Sequence, residues 1–82
     1  MSTVNTNTIE LQILFEEDKN EGNFSAYIPA IRLGAMGDTL EEARKNAMDL
    51  VEIQLQTART NGDDLPRDTA IIETIRFDLI GS

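Results

Sequence analysis

The stretch GDTLEEA, residues 37–43, reads as the place where a strand stops and a helix starts. Gly37 and Asp38 are turn formers, and Thr39 and Glu42 stand three apart in the S/T-x-x-E pattern of a capping box. In such a box the hydroxyl and the carboxylate each satisfy a backbone N–H that the first helical turn leaves free. Glu41 and Glu42 also bring negative charge to the positive end of the helix dipole. Asp38, Thr39 and Glu42 are therefore assigned to a helix cap, an architectural role, rather than to an acidic site.

Upstream of this corner the apolar pattern has period two. In TIELQILFEE, residues 8–17, Ile9, Leu11, Ile13 and Phe15 alternate with Glu10, Gln12, Leu14 and Glu16, which predicts a first strand with one buried face. DKNEGN, residues 18–23, carries hairpin-loop residues. FSAYI, residues 24–28, then predicts an antiparallel second strand with Phe24, Ala26 and Ile28 on its core side. Pro29 lacks a ladder donor and ends that strand, and Ile31, Leu33 and Ala35 in residues 30–36 suggest a third.

Downstream the spacing changes to three and four. Leu40, Ala43, Ala47, Leu50, Val51, Leu55 and Ala58 form one stripe, predicting an amphipathic helix over residues 40–60 that lays this stripe on the sheet. Asn61 and Gly62 suit a left-handed C-terminal cap, and DDLPRD, residues 63–68, a polar connection. TAIIETIRFDLI, residues 69–80, alternates again, with Ile71, Ile75, Phe77 and Leu79 on one parity, and predicts a final strand. The expected class is α+β: a three-stranded antiparallel meander, one helix and a last strand, β-β-β-α-β. Residues 1–8 are expected as a disordered lead, and 9–80 as a single domain.

Composition narrows the chemistry. The chain of 82 residues has no cysteine and no histidine, so disulfides, thiolate metal sites and the commonest general base are excluded. The expectation is a chain that is not an enzyme, with no catalytic residue, no metal and no cofactor. Fifteen acidic against seven basic residues give a net charge of -8. That charge disfavours nucleic acid and anionic membranes; it either keeps a small domain soluble or favours basic partners. No apolar run reaches the length of a membrane span and the start is polar, so a cytoplasmic location is expected.

Glu16, Glu17, Asp18 and Glu21 cluster near the first hairpin, yet consecutive strand residues splay to opposite faces, so a solvated tip is expected rather than a magnesium or calcium site. Four residues remain as candidates for partner binding. Ile53 falls nearly opposite the helix stripe and Met48 on its flank, while Tyr27 and Arg32 lie on the parity opposite the core residues of their strands. Scattered surface residues are the plainer alternative for all four.

FSAYIPAI, then GDTLEEARKNAMDLVEIQL, then LPRD, in this order and spacing, resemble the HicB family of antitoxin-like domains over residues 9–79. The resemblance implies a degenerate ribonuclease-H-like fold without nuclease activity, which neutralises a small basic HicA-type toxin that cuts messenger RNA. Many relatives carry a C-terminal helix-turn-helix or ribbon-helix-helix segment, whereas only Ile80, Gly81 and Ser82 follow the last strand here, so direct binding of DNA is not expected. Where many relatives have a Pro-Gly-Cys segment, this chain has AIRLGAM. Free-standing HicB-like domains are also similar, and the alternative to toxin binding is a homo-oligomer, a dimer or larger, with a structural or regulatory role. Exposed strand edges make self-association plausible under either reading.

Overall fold

The computed structural model describes residues 8–80. The expected N-terminal lead, but for Thr8, lies outside them. Three strands, β1 (Leu14–Asp18), β2 (Asn23–Ile28) and β3 (Leu33–Gly37), precede one helix, α1 (Leu40–Asn61). The sheet is an antiparallel meander in the order β1-β2-β3. The α+β class, the meander and the helix thus follow the sequence pattern. Among the described residues no helix is long and apolar enough to cross a membrane.

Both hairpins are closed by their own loop chemistry. The Asp18 carboxylate accepts from the N–H groups of Asn20 (3.0 Å) and Glu21 (3.1 Å), and Gly22, at φ 73°, donates to the Asp18 carbonyl at 2.8 Å. Glycine enters this left-handed conformation without a Cβ penalty. In the second connection Arg32 takes a positive φ of 56° and donates to the Ile28 carbonyl at 2.8 Å. Spending residues 29–32 on this turn delays β3 to Leu33, later than the alternation from residue 30 suggests.

The first strand also begins later than expected. Leu14 pairs with Tyr27, and β2 ends one residue further at Ile28, before Pro29. Residues 8–13 thus overrun their partner and stay unpaired, although Leu11 and Ile13 still pack at the margin of the core.

The corner at residues 37–43 forms as its sequence dictates. Thr39 has extended backbone, and its hydroxyl accepts from the Glu42 N–H at 3.0 Å. The Glu42 carboxylate reaches back to the Asp38 N–H at 2.6 Å, one residue earlier than in the standard box. At the far end Gly62, at φ 72°, closes a Schellman motif: Asp63 donates to Ala58 at 2.8 Å and Gly62 to Arg59 at 3.3 Å.

Small residues govern how helix and sheet meet. The buried cluster is Ala26, Ile28, Ala43 and Ala47, with Phe15, Phe24, Leu50 and Val51 among the side chains packed around it. Alanine at the contact lets the helix backbone come down onto the strands, and Gly37 completes the approach. A Cβ added there would run into the backbone nitrogen of Ala43 and lie 2.8 Å from the Glu42 carbonyl carbon. Asn46 fixes the same junction by donating to the Met36 carbonyl at 2.8 Å. Arg44 closes one flank, its guanidinium 5.7 Å from the centre of the Phe15 ring.

The final strand is the part of the expected β-β-β-α-β order that the described residues do not show. After α1 the chain runs on to residue 80 without a ladder. Asp68 holds its beginning, accepting from the Gln12 N–H at 3.1 Å. Every residue from 71 to 80 is exposed. The alternating pattern favours an extended backbone, but among the described residues no strand lies alongside to receive its hydrogen bonds.

Candidate functional site

Residues in register share a face of the sheet, so the surface turned away from the helix can be read directly from the pairing. Leu14, Tyr27 and Gly34 form one row across it, and Glu16, Ser25 and Met36 the next. Leu14, Tyr27 and Met36 are all about half exposed, at 50%, 45% and 56%. Tyr27 occupies the central strand, and Gly34 beside it leaves one flank of the ring open. Arg32 is exposed on the adjoining hairpin tip, near the Tyr27 end of the sheet.

Met48 and Ile53 belong to the opposite side of the molecule. Met48 lines an apolar groove of about 740 Å³ between α1 and residues 9–13, together with Val51 and Leu55. Ile53 lies on another flank of the helix beside Asp49, Gln56 and Arg59. The four candidate side chains therefore do not converge: Tyr27 and Arg32 belong to the sheet, Met48 and Ile53 to the helix. Asp38, Thr39 and Glu42 act as the cap described above.

The acidic hairpin does not gather its carboxylates. Glu16 and Asp18 lie on one face of β1 and Glu17 on the other, and Asp18 is engaged by its own loop. Among the described residues no group of three carboxylates, histidines or cysteines could hold a metal ion. The ion pair between Lys45 and Asp49, at 2.9 Å, spans one helical turn in solvent. The Asp49 carboxylate, by hydrogen bond and by charge, raises the Lys45 ammonium above its ordinary pKa of 10.5.

Two features absent from the sequence reading have a larger bearing on binding. The helix lies chiefly over β2 and β3 and touches β1 least, which opens the groove beside residues 9–13. The C-terminal tail, meanwhile, holds Ile71, Ile72, Ile75, Phe77, Leu79 and Ile80 in solvent, each 62–93% exposed. The signal for the tail was present in its mixed parities: a strand with apolar residues on both faces needs more cover than one helix supplies. Family models, curated proteins and solved structures contain no match to this chain.

Proposed function

We propose that the chain works by binding another protein rather than by catalysis, as an antitoxin-type module that covers a small basic HicA-type toxin. The observation that carries this reading is the uncovered sheet face, with Tyr27 between Leu14 and Gly34 and with Glu16 and Met36 in the next row. Tyrosine offers a large contact area at low entropic cost, and a ring framed by apolar and acidic neighbours suits a cationic partner with an apolar spot. The net charge of -8 would raise the rate of encounter with such a partner.

The test is RNA cleavage by a HicA-type toxin from the same genome, with and without the chain. An equimolar amount should stop cleavage, and Tyr27→Ala should raise the amount required by roughly 30-fold, the loss of one interface hot spot. Undiminished cleavage at saturating protein would overturn the proposal.

A second reading, a free-standing homo-oligomer with a structural or regulatory role and no toxin, is favoured by a different observation. The outer edge of β1 is bare and the apolar tail uncovered. Sedimentation that gives a monomer throughout the micromolar range would remove it.

A further inference from the structure

The tail, residues 71–80, has the alternation of a strand but no strand beside it. Isolated apolar residues on a surface are ordinary, whereas a contiguous run of large ones, 62–93% exposed, marks a surface that something covers. The same chain has a vacancy of matching shape. β1 is an edge strand, and among the described residues no strand pairs with residues 9–13 before it. Next to them the helix flank leaves the apolar groove lined by Ile9, Leu11, Ile13, Val51 and Leu55. The edge from residue 9 to 18 and the tail from 71 to 80 are equal in length, roughly 33 Å each as extended chain.

We infer that two copies of the chain exchange their tails, each laying residues 71–80 as a fourth strand along the β1 edge of its partner and over the partner's groove. The path of the chain supports exchange over fold-back. Asp68 fastens the root of the tail to Gln12, two residues before β1, and beyond it the tail stays in solvent instead of turning onto its own edge. A two-fold axis near that root carries each tail to the other protomer's edge. Each copy then gives one strand and receives one, which closes the assembly at two.

Area and charge agree with this occupant. Burying a large apolar side chain removes about 60–120 Å² from water, so six side chains at these exposures give roughly 300–600 Å² per tail. Counting both tails and the surfaces they cover gives about 1,200–2,400 Å², the size of a stable protein interface. Residues 65–80 hold two arginines, Arg67 and Arg76, against three acids, Asp68, Glu73 and Asp78, for a balance of -1 out of the chain's -8. This exposed apolar segment is nearly neutral, so it can approach the acidic β1 of another copy with little repulsion.

The inference specifies the contact of the homo-oligomer reading, and it is independent of toxin binding at Tyr27. The chain has no cysteine, so introduced thiols report unambiguously. Full-length Thr74→Cys and Glu16→Cys chains, one bearing a size tag, are refolded together and treated with a short bismaleimide cross-linker. Exchange predicts a covalent tagged-untagged pair, and a double variant that cross-links between chains. A double variant cross-linked within one chain would show the tail as the final strand of its own sheet and overturn exchange; so would a monomer without cross-links. In sedimentation, Phe77→Glu should weaken the dimer by about 30-fold or more while the helical circular dichroism persists. A dimer indifferent to Phe77→Glu and to the cross-linking pair would overturn exchange while leaving the homo-oligomer standing.

Discussion

Replacing Gly37 by alanine tests the close contact between β3 and the start of α1. The added Cβ would meet the backbone nitrogen of Ala43, the Glu42 carbonyl carbon at 2.8 Å and the Glu42 Cβ at 2.9 Å. These are main-chain and helix-fixed atoms, so relief requires the first helical turn to move by about 1 Å to bring every one of them to the ordinary contact distance of 3.4 Å. Overpacking of this kind costs about 1–3 kcal/mol. The shift also disturbs the cap formed by Asp38, Thr39 and Glu42, which contributes about 1 kcal/mol. Gly37 is not among the glycines with positive φ, so alanine regains about 0.4–1 kcal/mol through the unfolded chain. The net expectation is a loss of about 1–3.5 kcal/mol, roughly 5–25 °C in Tm for a domain of this size. Thermal unfolding followed by circular dichroism, at one fixed protein concentration, measures it. A variant as stable as the parent would refute the close approach and the packing built on it.

Ile28→Ala removes the one large side chain that is fully buried among the described residues and should cost about 2–5 kcal/mol in urea unfolding, enough to leave much of the population unfolded. Thr39→Ala should cost about 1 kcal/mol, and Thr39→Asp should restore most of it, as expected of a cap and not of a binding residue. The Lys45–Asp49 pair, with its lysine pKa raised, contributes whatever stability it has below pH 10.5 and loses it as the pH climbs above that value. Pair-dependent differences between the parent and Lys45→Met should therefore vanish in strongly alkaline solution. Tyr27→Ala should leave Tm nearly unchanged, because the ring lies on the open face of the sheet; a large fall would assign Tyr27 to stability rather than to contact.

What could be read from the sequence was chemistry that is complete within a few residues. The corner at 37–43 contains its own hydrogen-bond donors and acceptors, so its geometry does not depend on the rest of the chain. The second strand was similarly legible: Phe24, Ala26 and Ile28 face the core as their parity predicts. The limits of β1 and β3 were not, because a strand is as long as its partner allows. β2 stops at Ile28, and the turn through Arg32 consumes residues that would otherwise alternate. The tail shows the same limit more sharply. Alternation favours an extended backbone for residues 71–80 but carries no information about which edge, or whose, completes the ladder. Of the candidate surface residues, exposure was foreseen for Tyr27, Met48 and Ile53, but their separation onto two sides of the molecule emerges only from how the helix lies on the sheet.

The pairing pattern also sets how the chain should fold in time. From residue 14 to 61 each element contacts the next along the sequence, through connections at residues 19–22, 29–32 and 38–39. Such local topology forms quickly, on the order of milliseconds, and at a rate independent of dilution. Exchange of tails is an encounter between two molecules, so its rate falls with concentration. Refolding should then show a fast phase that is the same in every sample and a slow one that lengthens as the sample is thinned. Between the two phases the chain is a finished body with an open edge and a sticky strand, and that interval is when it is most prone to aggregate.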